Sequence, residues 1–112
     1  MGLTVTRESG YVLAKTSGAI DESAGDVFRK ELHPVLAERG ACVIVDLSGS
    51  AFVNSAGLGH LVALVAHANT KSSRVVLCAP TPHVAGVLAV TKLDTFLEVA
   101  LTLPDAIARV TK

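Results

Sequence analysis

The stretch Val43-Ile44-Val45-Asp46-Leu47-Ser48-Gly49-Ser50-Ala51-Phe52-Val53-Asn54-Ser55-Ala56-Gly57-Leu58-Gly59 changes its chemistry halfway, and that change decides the fold. Its first five residues, with Ala41 and Cys42 before them, form a continuous apolar, β-branched run to Leu47. Such a run predicts a central strand buried on both faces. Small and polar residues then make a loop over 48–53. From Asn54-Ser55 the spacing becomes helical, with Leu58, Leu61, Val62 and Val65 on the buried side and an end near Asn69. Lys71-Ser72-Ser73 is the exit, and Val75-Val76-Leu77-Cys78 reads as the next buried strand.

Both flanks extend this pattern. Leu3, Val5 and Arg7 alternate with polar residues, Ser9-Gly10 signals a turn, and residues 11–15 read as a second strand. Residues 3–17 are therefore expected to form a hairpin. Residues 21–39 read as a helix with a delayed start. Asp21, Glu22 and Asp26 lie near its N-terminus, where the macrodipole favours acids. Val27, Phe28, Leu32, Val35 and Leu36 form its apolar stripe, and Pro34 is expected to kink it. After the stiff loop Ala79-Pro80-Thr81-Pro82, a short helix is expected over 83–90 and a last strand over 95–99. A terminal helix follows over 103–110, with Thr102 as its N-cap. The order ββαβαβαβα predicts an α/β fold: a mixed, mostly parallel sheet of about five strands, an antiparallel edge hairpin and helices packed against it.

Composition narrows the function. With 112 residues, 50% hydrophobic and 18% charged, the chain is expected to be one ordered domain, 1–112. Ten basic residues balance ten acidic ones, and aromatics make up 4%. Neither the basic surplus of a nucleic-acid binder nor a stacking platform for single strands is present. The apolar stretch 56–68 is shorter than the ~20 residues of a membrane span and carries His60 and His67. Residues 1–9 lack the apolar core of a signal segment, so a cytoplasmic location without membrane insertion is expected. Cys42 begins one central strand and Cys78 ends the next, which is too far for a disulfide in parallel neighbours.

The sharpest candidate site is Ser55. A hydroxyl at a helix start has two uses: it caps the helix, or it accepts a phosphate whose charge then sits at the favourable pole of the dipole. Gly57 and Gly59, poor helix formers, either allow close packing on the sheet or keep the surface around Ser55 open. No catalytic reading survives. The nucleophile elbow G-x-S-x-G fails because residue 53 is Val, and no His follows the acids Asp94, Glu98 and Asp105. Phosphate-loop and dinucleotide patterns are absent, and His60 and His67 lack the i, i+4 spacing of a metal pair. Asp46, Ser48, Ser55, Thr81 and His83 are expected to share the rim at the carboxyl ends of the strands, without an acid–base pair among them. Neither enzyme activity, nor a cofactor, nor a metal is expected.

Taken together, residues 43–59 resemble the central signature of STAS domains, the bacterial anti-sigma factor antagonists and their relatives. Residues 76–99, which include Ala79-Pro80-Thr81-Pro82 and Val87-Leu88-Ala89-Val90-Thr91-Lys92-Leu93-Asp94, are similar to the family's second half. Ser17-Gly18-Ala19-Ile20-Asp21 is similar to its early turn. The resemblance implies a STAS-like single domain that binds a serine-kinase anti-sigma factor and so frees a sigma factor, as in the transcriptional regulation of bacterial stress responses. It implies that the kinase phosphorylates one serine and that a metal-dependent serine phosphatase reverses this. The family's phosphorylated serine follows an Asp; the matching residue is Ser55, with Asn54 in place of the Asp. Asp21, Ser48, Asn54, Ser55, Ala56, Gly57, Leu58 and Thr81 are the expected partner-binding residues. Lys92 stands where many relatives carry Gly. A similar motif also occurs in STAS subunits of membrane transport complexes, such as the lipid-transporting ABC systems, which is the alternative role. The Pro-rich loop and residues 87–94 look more like the antagonists.

Overall fold

In the computed structural model, which describes residues 1–111, the N-terminal alternation builds a hairpin. Strands β1 (Gly2–Glu8) and β2 (Tyr11–Ser17) pair antiparallel, from Gly2 opposite Ser17 to Glu8 opposite Tyr11. Strands β3 (Cys42–Asp46), β4 (Arg74–Cys78) and β5 (Val99–Ala100) follow in parallel, giving one five-stranded sheet in the order β1-β2-β3-β4-β5. This is the mixed, mostly parallel α/β sheet expected from the sequence.

Strand pleating sends alternate residues to opposite faces. Val12, Ala14, Val43, Val45, Val75 and Leu77 enter the larger core with helices α1 (Ala24–Glu31), α2 (His33–Leu36), α3 (Ser55–Thr70) and α4 (Pro82–Val90). Ile44, Val76 and Cys78 point the other way, to a smaller core closed by α5 (Leu103–Val110) through Leu103, Ala106 and Ile107. Val43, Ile44 and Val45 are all fully buried, because helices cover both faces of β3. Both cysteines are free thiols. Cys42 pairs with Arg74 and Cys78 with Asp46, so they sit at opposite ends of neighbouring strands.

Three local expectations need correction. The helix expected over 21–39 starts at Ala24 and breaks at Leu32, whose φ of −111° separates α1 from α2. Pro34 has no N–H to continue α1, and it restricts His33 before it, so the chain starts a new short helix instead. Asp21 builds the turn ahead of α1: its Oδ1 accepts from both the backbone N–H (3.0 Å) and the hydroxyl (2.5 Å) of Ser23. The last strand is not 95–99. Lys92 ends α4 in the left-handed region at φ 58°, a 3-10 turn occupies Leu93–Thr95, and only Val99–Ala100 meets the end of β4 at Leu77 and Cys78. On α3, Gly57, Leu61, Leu64, Val65 and Ala68 are buried, while Leu58 and Val62 are half-buried. The terminal helix occupies its expected residues, and Thr102 caps it by accepting from the N–H of Asp105.

Candidate functional site at the start of the central helix

The loop between β3 and α3 is held from two sides. On one side lies the connection from β2 to α1. Gly18 N–H donates to the carbonyl of Gly49 (3.2 Å), Ile20 N–H to Phe52 (2.9 Å) and Asn54 N–H to Ile20 (3.1 Å), so Ile20 and Val53 form a parallel bridge. Thr16 reinforces this contact from β2. Its hydroxyl donates to the Asp46 carbonyl and shares a 2.7 Å bond with the hydroxyl of buried Ser50. On the other side lies the loop after β4. Thr81 Oγ1 donates to the Ser50 carbonyl at 2.8 Å. The His83 ring stacks on Phe52 with centroids 4.8 Å apart, and its Nε2 lies 3.3 Å from the Val53 carbonyl oxygen.

Two glycines make this closeness possible. A Cβ at Gly49 would lie 2.3 Å from the Thr16 carbonyl oxygen, and one at Gly57 would lie 1.9 Å from that of Ile20. Gly59 meets nothing within 4 Å. The two readings of the glycine pair therefore separate: Gly57 serves packing, and Gly59 leaves open surface.

Asn54 is the N-cap of α3. Its Oδ1 accepts from Gly57 N–H at 2.8 Å, and its Nδ2 donates to the Glu22 carboxylate at 3.2 Å. Capping thus falls to residue 54. Ser55 is the first helical residue and is exposed, and among the described residues its hydroxyl makes no hydrogen bond. The N-terminus of a 16-residue helix backs that hydroxyl with free N–H groups and positive dipole charge.

The other expected residues divide. Ala56 is exposed beside Ser55, and Leu58 is half-buried one turn on. Ser48 is exposed, and its N–H is held by the buried Asp46 carboxylate at 2.9 Å. Thr81 is half-buried against the loop. Asp21 is half-buried, and the Ser23 hydroxyl bond, then the Ser23 N–H bond, holds its carboxyl below the usual range. Gly57, unlike its exposed neighbours, is buried under Ile20.

Two residues at this site were not anticipated. Glu22 reaches Asn54 across 32 positions of sequence, and no local spacing signals such a contact. Phe52, one of three phenylalanines, is 47% exposed next to the helix start. An aromatic in a polar loop of an aromatic-poor chain was the available signal.

Among the described residues no side chain forms a hydrogen bond to the Ser55 hydroxyl. Burial pushes the Cys78 thiol up to about 12, helped by the Asp46 charge, so it is inert as a nucleophile. Among the described residues no group of three His, Cys, Asp or Glu side chains is placed to hold a metal ion. Nor is any helix long and apolar enough to cross a membrane. The site is an exposed hydroxyl at the start of α3, next to a braced loop.

Comparison with known proteins agrees with this architecture. The STAS domain model matches residues 3–106, and the chain belongs to that family. The fold is that of solved anti-sigma factor antagonists. One from Mycobacterium paratuberculosis is 24% identical, with a TM-score of 0.85 over 99% of this chain and 94% of its own. Another, SpoIIAA in its unphosphorylated form, is 20% identical, with a TM-score of 0.78 over 98% of this chain and 96% of its own. The Bacillus SpoIIAA has also been solved in a phosphorylated form, which is 20% identical with a TM-score of 0.72 over 97% and 99% of the two chains.

Proposed function

We propose that this chain is an anti-sigma factor antagonist: a non-enzymatic, cytoplasmic binding module that sequesters a serine-kinase anti-sigma factor and is switched off by phosphorylation of Ser55. The observation that carries this reading is the division of labour at the start of α3. Asn54 satisfies the helix cap, so the neighbouring Ser55 hydroxyl is exposed and uncommitted. A phosphate there meets the positive end of the dipole, and the fold tolerates it. In a desolvated interface, a charge of about −2 without a dedicated cation opposes binding. The partner surface consists of Asp21, Ser48, Asn54, Ser55, Ala56, Leu58 and Thr81, extended by exposed Phe52. A metal-dependent serine phosphatase resets the switch.

The test is incubation with ATP, Mg²⁺ and a serine-kinase anti-sigma factor from the same organism, followed by peptide mass spectrometry. One phosphate on the peptide containing Ser55, absent from Ser55→Ala, is expected. Phosphate elsewhere, or none, contradicts the assignment.

A further inference from the structure

His33, at the first position of α2, and His67, in the last turn of α3, stack face to face with centroids 3.9 Å apart and planes within 5°. Both rings are half-buried. Neutral imidazoles pack well in this way, as flat plates with little charge. Two imidazolium ions at the same separation repel, with too little water between them to screen the charges. The groups facing the pair make protonation harder. From α1, Arg29 adds positive charge at His33, while its guanidinium is bonded to Asp26 at 2.5 Å. Among the described residues no carboxylate forms an ion pair with either ring. The third histidine of this interface, His60 on α3, lies against Gly25 of α1, where an added Cβ would come within 2.6 Å of its Cε1. The far end of α2 is tied down separately: Ser73 Oγ donates to the Leu36 carbonyl at 2.8 Å and lies 3.1 Å from that of Glu38. The histidine stack therefore joins the near end of α2 to α3 at the rim of the apolar core that the two helices share.

We propose that the His33–His67 stack is a pH-sensitive latch between the α1–α2 corner and the central helix, closed when both rings are neutral and released when His33 takes up a proton. The direction is set by His33. Burial first, then the charges of His67 and Arg29, lower its pKa from the ordinary 6.5. The unfolded chain therefore binds that proton more readily than the folded one. The stack's contribution to stability is complete above pH 6.5 and is lost as pH falls through the lower folded value. The latch therefore works on the acid side of the ordinary imidazole value of 6.5. It does not depend on the role of Ser55.

The experiment uses the full chain and needs no partner. Histidine ring titration by NMR and urea midpoints at pH 7.5 and 5.5 are compared for wild type, His67→Phe and His33→Phe. Phe keeps a flat ring in the stack and cannot take a proton, while His60 and His83 are unchanged in every form. Wild-type His33 is expected to titrate below 6.5 and to move upward in His67→Phe. Both variants are expected to lose at most about half as much urea midpoint on acidification as wild type. Equal losses in all three, or a His33 midpoint unmoved by His67→Phe, overturn the proposal. If neither variant folds, wild-type His33 titrating at or above 6.5 does so alone.

Discussion

A Cβ on residue 57 would lie 1.9 Å from the carbonyl oxygen of Ile20, so the helix bearing Ser55 starts in contact with the connection between β2 and α1. That contact sets how far Ser55 stands out from the sheet. Gly57→Ala forces backbone apart and should cost about 1–3 kcal/mol. Gly59→Ala, on the open side of the same helix, should gain about 1 kcal/mol from helix propensity alone. Urea denaturation of the two variants checks the pair, and equal effects would show that neither glycine is constrained by Ile20.

Asn54 serves the cap and Glu22 together. Asn54→Ala should cost about 1 kcal/mol through the lost bond to Gly57 N–H. Asn54→Asp keeps the acceptor but exchanges the donor to Glu22 for a second negative charge. Glu22→Gln in that background should recover part of the loss. A double-mutant cycle measures the coupling, and additive effects would mean that the bond to Glu22 contributes nothing.

Lys92 occupies the left-handed region at φ 58° after α4. Glycine takes this conformation without a Cβ penalty, so Lys92→Gly should stabilise the chain by up to about 1 kcal/mol. A thermal melt that falls on this substitution would show that the lysine side chain contributes something the backbone does not explain.

Glu98 gives the acid limb of stability. Arg74 binds its carboxylate in two places, Nε to Oε1 at 2.9 Å and Nη2 to Oε2 at 2.5 Å, and Arg109 adds charge at 3.6 Å. The Arg74 hydrogen bonds, working against burial, hold the carboxyl below its ordinary 4.5. The unfolded chain protonates first, so this stabilisation is present above pH 4.5 and fades as pH falls toward the folded value. The pair is partly solvated, so Glu98→Gln should cost roughly 0.5–1 kcal/mol at neutral pH and flatten the loss below 4.5. Urea midpoints from pH 7 to 3 test this.

How far the sequence was legible depended on whether the signal was local. The β-branched runs at Val43–Val45 and Val75–Leu77 announced the central strands, and Thr102 marked the last helix, because strand burial and capping leave compact patterns. Thr95–Val99 read as a strand because its side chains suit one. After Lys92 in the left-handed region, the chain instead makes a 3-10 turn over Leu93–Thr95 and buries Leu97, and pairs with the sheet only from Val99. At the site, Ser55 and Asn54 were visible as a helix start, but which of them capped was not. That depended on the direction of the Asn54 amide, which bonds Glu22 from a distant segment. The burial of Gly57 likewise depended on Ile20, which no spacing rule connects to it.

The central claim is that the charge state of Ser55 controls partner binding without changing the fold. The direct test is a calorimetric titration of wild type, Ser55→Ala and Ser55→Asp against the cognate anti-sigma factor, with thermal melts of each. Ser55→Ala should bind like wild type, Ser55→Asp should bind at least about tenfold more weakly, a loss of about 1.4 kcal/mol, and all three should melt as folded domains. Equal affinity for wild type and Ser55→Asp, both folded, would contradict the account.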